Sequence, residues 1–339
     1  MRPDIRPLDP TADHAVEAAL SLLHAAGKVD TPDFPPACPY DFRASLRQEL
    51  SYRRRERHLA HEGDTVVGYL HLDLPLRENR DNAEVELIVH PAYRRRGVGR
   101  ALFEYAVRRV RDLGRKRLIG ATAESLPGGP VRDHAGGAFA AAMGARPALR
   151  DVRRRWDAAT VDPAVLARLR SAARAKAVGY RVVTWHGRAP EEYAADVAYL
   201  NGRLNSDAPL EDLTWEAERI DVARLRESED SALARGMRIY GAGAVHEETG
   251  RMVAVTTIAG QRSSPWHAWQ WITLVDPPHR GRRLGALVKV ENLEHARTLQ
   301  PELRAIDTWN AAVNRHMISI NEEMGYRAVE AGVNWQWEL

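Results

Sequence analysis

The 339-residue chain carries 49 Lys and Arg against 46 Asp and Glu, with 44% hydrophobic and 28% charged residues. That is the balance of a globular protein long enough for two domains. Its single cysteine, Cys38, excludes an internal disulfide framework. No apolar run nears the roughly 18 residues of a membrane span, and the proline- and acid-broken N-terminus lacks a signal peptide's order of parts, so the expected location is the cytoplasm.

In chain order, "DIRPLDPTADHAVEAALSLLHAAG" reads as a short strand, a turn and a helix stopped at Gly27. "RHLAHEGDTVVGYLHLDLP" reads as two strands about the turn "EGD", and "NAEVELIVHP" as an alternating strand stopped by Pro91. A glycine-containing loop follows, then the helical pattern "GRALFEYAVRRVRDLG", the strand "RKRLIGATA", the short helix "GGAFAAAMG" and the extended "RPALRDVRRRWD". The second half repeats this order. After a connecting helix, Asp162 to Gly179, come the strand "YRVVTW", the helix "APEEYAADVAYLNGRLN" and a hairpin turned at "EETG". The strand "AWQWITLVDP", a second loop, the helix "LGALVKVENLEHARTL", the strand "ELRAIDTWN", the helix "NRHMISINEEMG" and a last extended segment complete it. The expected division is a first domain over 1–158, a connecting helix over 159–178 and a second domain over 179–339, each mixed α/β.

The two loops read "AYRRRGVGRALF" and "PHRGRRLGALVK", 186 residues apart from Arg94 to Arg280. A strand, a glycine loop and a helix start together form an anion site. The first helical N–H groups lack intrahelical partners, the helix dipole is positive there, and arginines add charged donors. Neither loop is a Walker motif or a complete dinucleotide fingerprint.

In this context Arg94-Arg95-Arg96-Gly97-Val98-Gly99 resembles the [QR]-x-x-G-x-[GA] motif of the GCN5-related N-acetyltransferase (GNAT) superfamily. "ITLVDPPHRGRRLGALVK" resembles the same region, and "NAAVNRHMISINEEMGYR" resembles the family's next motif, N-x-x-[AM]-x-x-x-[YN]-x-x-x-G-[FY]. The resemblance spans nearly the whole chain as two tandem copies. It implies two mixed, mostly antiparallel sheets with splayed central strands flanked by helices. It also implies acetyl-CoA, or another acyl-CoA, as co-substrate, with its pyrophosphate on Arg94, Arg95, Arg96, Gly97, Val98, Gly99 and Arg100. The equivalent set in the second copy is Arg280, Gly281, Arg282, Arg283, Leu284, Gly285 and Ala286. A bulge on the fourth strand would present backbone amides near Ile88 and Val89, and near Leu274 and Val275, to the thioester. Asn310 and Asn314 of the later motif would touch the CoA arm.

Transfer to an amine requires removal of a proton from an ammonium of pKa about 10.4. Glu84 and Glu86 stand two apart on the fourth strand and so share a face. Glu86 best matches the family's acid, with Glu84 the second choice; a solvent-facing pair that keeps the sheet soluble is the other reading. The second copy carries Gln270 and Ile272 at the matching positions. The family's thiol-assisting tyrosine is replaced by Ala140 and Asn321, of which Asn321 retains a hydrogen-bonding side chain. The leading Asn of the later motif is Asp133 in the first copy.

The remaining candidates are weaker. Cys38 lacks a neighbouring histidine, and His58 and His61 have no third ligand at metal spacing, so no metal site is expected. Arginine clusters at 53–55, 94–96 and 153–155 come with no nucleic-acid-binding pattern, so no nucleic-acid partner is expected. The resemblance puts the acids Asp207, Glu211 and Asp212 of "LNSDAPLEDL" where this fold usually builds its acceptor site, where they would suit a cationic amine; a solvated loop is the other reading. The expected protein is a monomeric or homodimeric N-acyltransferase for a small amine, with a non-catalytic acyl-CoA-binding protein as the alternative.

Overall fold

The computed structural model describes residues 3–339 and divides the chain into two compact units. The first runs to Asp151 and includes Leu210–Trp215 and Glu330–Leu339; the second comprises Val152–Pro209 and Glu216–Val329.

The first unit holds β1 (Asp4–Pro7), α1 (Asp13–Asp30), α2 (Pro39–Leu46), β2 (Arg53–Glu62), β3 (Thr65–Pro75), β4 (Asn82–Val89), α3 (Val98–Asp112), β5 (Arg117–Ser125) and α4 (Ala135–Ala142). The start of β6 (Arg146–Asp157) and most of β12 (Arg327–Glu338) complete it. β1 to β4 are successively antiparallel, whereas β4 and β5 are parallel over only three pairs, Asn82↔Arg117 to Glu84↔Ile119. β12 then pairs antiparallel with β5 along its full length, from Arg117↔Glu338 to Ser125↔Glu330. α3 follows its helical pattern, burying Val98, Leu102, Ala106 and Val110 against Leu70, Leu72 and Leu74 of β3. The helix lies so close that a Cβ on Gly68 would stand 2.7 Å from Leu102 Cδ1. On the other face α1 packs Val16, Ala19, Leu20 and Leu22 over Leu59 and Tyr69.

The second unit holds α5 (Pro163–Lys176), β7 (Tyr180–His186), α6 (Ala194–Gly202), α7 (Leu204–Asp207), α8 (Val222–Ala234), β8 (Met237–His246), β9 (Met252–Gln261), β10 (His267–Val275), α9 (Leu284–Leu299), β11 (Ala305–Ala311) and α10 (Arg315–Glu323). Its sheet repeats the plan: β7, β8, β9 and β10 are antiparallel, and β10 and β11 are parallel over three pairs, His267↔Ala305 to Trp269↔Asp307. α9 and α5 pack on one face, α6 and α8 on the other. Asp162 caps α5 by accepting from Ala164 N at 2.9 Å, with Pro163 in the first turn.

Four features depart from the sequence expectation. α1 passes through Gly27 to Asp30, and α2 and α8 are additional helices. The connecting helix is α5, whose Leu166, Leu169 and Ala173 enter the second unit's core. The final ten residues stand with the first unit, because Val333, Trp335 and Trp337 alternate into its core beside β5.

Candidate active site

Each loop begins where a central strand ends. In the first unit a 3₁₀ turn, Pro91–Tyr93, follows β4, and α3 begins at Val98. Between them Arg95 (φ 63°) and Gly97 (φ 90°) are left-handed. In the second unit the turn Pro277–His279 precedes α9, and the left-handed pair is Gly281 (φ 80°) and Arg283 (φ 55°). The loops therefore share one backbone course, with glycine and arginine exchanged between its two unusual positions. Such alternation turns successive N–H groups into one concavity, an anion nest at a helix N-terminus. Gly99 lies between Val89 and Phe139, and Gly285 between Val275 and Ile320, in the same arrangement.

The arginine side chains divide by role. Arg94 donates to Val89 O at 3.2 Å and pairs with Asp30 at 2.8 and 2.6 Å. Arg280 likewise donates to Val275 O at 3.1 Å and to Asp207 at 2.8 Å. Both fasten the loop to its strand and to a helical acid, so their guanidiniums are already engaged. Arg96 lies over Tyr93, Arg282 over Tyr180, and Arg283 pairs with Glu323. Arg95 and Arg100 are exposed, with no partner among the described residues. The second unit has Gly281 and Ala286 at those positions, so its loop offers less free positive charge. The side chains of Val98, Leu284 and Ala286 are core, and only their backbone faces the nest.

Beyond Glu84↔Ile119 the strands β4 and β5 diverge, and a cavity of about 540 Å³ occupies the gap. β4 contributes Glu84 to Ile88, β5 contributes Ile119 to Thr122, and β12 contributes Asn334, Trp335 and Trp337. Phe103, Gly136, Phe139 and Ala140 form an apolar side wall, and Phe139, which also flanks Gly99, joins the cavity to the loop. Glu84 and Glu86 both line it. Arg53 donates to Glu84 at 2.8 Å and also pairs with Asp73 at 3.2 Å. Burial works against the Arg53 charge, but the two carboxylates outweigh it and raise its pKa. Glu86 is freer: its side chain is 58% exposed, and His71 Nδ1 stands 3.7 Å from its carboxylate.

The expected bulge near Ile88 and Val89 is absent. The β3–β4 register runs without interruption from Gly68↔Val89 to Asp73↔Glu84. The second unit has a bulge, but between Gln270 and Ile272 against β9 and not near Leu274 and Val275, where the register is continuous. It also shifts the correspondence between copies. The last parallel pairs, Glu84↔Ile119 and Trp269↔Asp307, make Trp269 the counterpart of Glu84, while Gln270 turns to the α9 side. There Gln270 donates to Thr256, Thr257 O and Ile272 O and accepts from Lys289 Nζ at 3.1 Å. Lys289 takes the place of cavity-lining Phe103, counted by the loop offset of 186 (289 less 103). It is 1% exposed, lies over Tyr326, and burial pushes its pKa down to about 7.

Asn321 lies on α10. It is fully buried, its amide nitrogen donates to Asn310 Oδ1 at 2.6 Å, and its own Oδ1 has no hydrogen-bond partner among the described residues. Asn314 caps α10 by accepting from Met317 N at 3.2 Å. Leu274 is core, and Val275 O is taken by Arg280. Of the suggested acceptor acids, Asp207 is held by Arg203 and Arg280, and Glu211 accepts from Arg150 N. The sequence reading missed Asn334, Trp335 and Trp337; the terminal alternation "VNWQW" was the available signal of a core strand.

Comparison with known proteins agrees with this geometry. Residues 23–127 match the Acetyltransferase (GNAT) family model. A tandem GNAT protein from the clavulanic acid biosynthesis pathway superposes with a TM-score of 0.85 at 33% identity, covering 99% of this chain and 98% of that one. The chain belongs to the GNAT family of N-acetyltransferases. It carries two GNAT domains. A GCN5-related N-acetyltransferase from Sphaerobacter thermophilus shares the fold, with a TM-score of 0.66 at 16% identity over 99% of this chain and 96% of that one. Mycothiol acetyltransferases of Streptomyces avermitilis and Salinispora tropica are 44% and 40% identical over 90 and 83 residues. These stretches are 25% and 24% of this chain and 26% and 25% of those proteins, so the chain spans about a quarter of the curated relatives it matches. Among the described residues no helix is long and apolar enough to cross a membrane, and no cluster of His, Cys, Asp and Glu is arranged to hold a metal.

Proposed function

We propose that the protein transfers an acyl group, acetyl in the simplest case, from acyl-CoA to a small-molecule amine, and that the first unit does the chemistry by direct transfer in a ternary complex. The observation that carries this reading is the cavity between β4 and β5, which joins Glu86 to the phosphate-type loop through Phe139. The fit to acyl-CoA rests on the nest at Arg95–Arg100, two exposed arginines beside it, and an apolar wall of Phe103, Phe139 and Ala140 for the arm. When bound, the thioester supplies the activated acyl group.

The chain's residues then have distinct tasks. The loop amides and Arg95 and Arg100 hold the pyrophosphate. Glu86 takes the ammonium proton and leaves the nucleophilic amine, a contribution of roughly 10²–10⁴-fold for a positioned base. Glu84 is neutralised by Arg53 and orients rather than accepts. Ala140 offers no proton for the leaving thiolate, so that proton comes from solvent or from Glu86. In the second unit Trp269 and Ile272 replace the carboxylates, while Lys289 and Gln270 occupy the interior. That observation favours CoA binding without turnover, or a structural role, for this unit.

Calorimetry tests the loop assignment. Gly99→Glu removes acetyl-CoA binding at the first loop and Gly285→Glu removes it at the second. Unchanged affinity and stoichiometry in both, and in the double variant, contradict it.

A further inference from the structure

Which amine the first unit accepts is written into the cleft face that α1 and α2 border. Glu84 and Glu86 of β4 share this face with Ile119, because Glu84 and Ile119 are a parallel pair, and it continues through Ala121 and Ala123 of β5. The antiparallel partners of those alanines are Asn334 and Gly332 of β12. The face therefore runs from carboxylates on β4, over a floor of two alanines and a glycine, to Asn334. β5 and β12 are about 4.8 Å apart by ordinary strand spacing, and β4 and β5 lie further apart where they splay. The strap Leu210–Trp215 closes one end, as Thr214 O accepts from Asn82 at 2.7 Å and Thr214 N donates to Gln336 at 2.9 Å.

Asn334 is fixed from behind. Its Nδ2 donates to Asp151 Oδ2 at 3.1 Å, and an ionised carboxylate only accepts, so the amide oxygen is left as an acceptor for the cavity that Asn334 lines, beside the second N–H. Asp151 Oδ1 is buried with no hydrogen-bond partner among the described residues. Room for this carboxylate depends on Gly332, where a Cβ would stand 1.8 Å from Oδ1. Burial pushes the Asp151 pKa up, in keeping with an acceptor that lacks its full complement of donors.

We propose that the acceptor is a short amine carrying a second hydrogen-bond donor, an amino alcohol or a diamine, and that Asn334, held by Asp151, receives that second donor across the cleft from Glu86. Asn334 is then a specificity-determining residue supplied by the last strand of the chain, and Asp151 a positioning residue. This rests on the assignment of acyl transfer to the first unit. A plain alkylamine would leave the Asn334 oxygen unpaired in the complex, which is the kind of mismatch that separates substrates.

The test is free-thiol release from acetyl-CoA by the full-length protein with 3-aminopropan-1-ol, 1,3-diaminopropane and n-butylamine. The expected wild-type result is kcat/KM about tenfold higher for the first two than for butylamine, roughly one good hydrogen bond. Asn334→Ala and Asp151→Ala bring that ratio to near one, mainly through KM. Because the ratio compares two amines on one protein sample, it does not depend on the folded fraction. A wild-type ratio near one, no turnover of any of the three amines, or a ratio that survives Asn334→Ala overturns the proposal. If instead Gly99→Glu leaves all rates untouched, the assignment of acyl transfer to the first unit fails.

Discussion

Lys289→Met is expected to stabilise the second unit at neutral and acid pH. The lysine is 1% exposed, its ordinary pKa of 10.5 falls to about 7, and the sole cause is burial. A fall of that size, at about 1.36 kcal/mol for each tenfold, corresponds to about 5 kcal/mol against the protonated, folded state. The unfolded chain binds the proton more tightly than the folded one, so the Lys289 contribution to stability rises as pH climbs from about 7 towards 10.5 and is flat and lowest below 7. Methionine removes the charge and keeps the volume, but it leaves Gln270 Oε1 without its donor, a loss of about 1–3 kcal/mol. The net gain at pH 6 is then about 2–4 kcal/mol, or several degrees in Tm for a unit of this size. At pH 10 the gain should vanish or reverse. The assay is urea unfolding at pH 6, 7.5 and 9, following the second unit's transition separately because the protein has two units. A stability gain from the substitution that does not shrink between pH 6 and 9, or a variant equally destabilised at all three values, refutes the reasoning.

Three further outcomes follow from the same geometry. Glu86→Gln should lower kcat/KM by roughly 10²-fold or more, whereas Glu84→Gln should cost less than tenfold; steady-state thiol release reads both. Asp307→Asn should destabilise the second unit by about 3–5 kcal/mol in urea unfolding, because it leaves Arg153 and Arg155 facing a neutral amide in a buried site. Trp337→Ala should cost the first unit about 3–5 kcal/mol, although the residue lies near the far end of the chain, since its ring packs at 5.3 Å from Phe103.

Much of the fold was legible because each strand–loop–helix step carries its own local signals. The proline after β4, the alternation of "AEVELIV" and the spacing of apolar residues in α3 are all set within a dozen residues. What the sequence hid depends on long-range pairing. The alternating end of β12 looks the same whichever β-sheet it joins, and only the depth of Trp335 and Trp337 beside β5 shows that it belongs to the first unit. The bulge at Trp271 was invisible for a related reason: one extra residue shifts register without altering composition, so Gln270 was matched to Glu84 when Trp269 is its counterpart. The ion pairs of Arg94 and Arg280 were hidden too, because Asp30 and Asp207, the partners that engage them, are distant in sequence.

The most direct test of the division of labour is acetyl-CoA turnover in two single variants, Gly99→Glu and Gly285→Glu, measured with 1,3-diaminopropane as acceptor. Turnover lost in the first and retained in the second is the result expected if the first unit does the chemistry. Turnover retained in Gly99→Glu and lost in Gly285→Glu would contradict it.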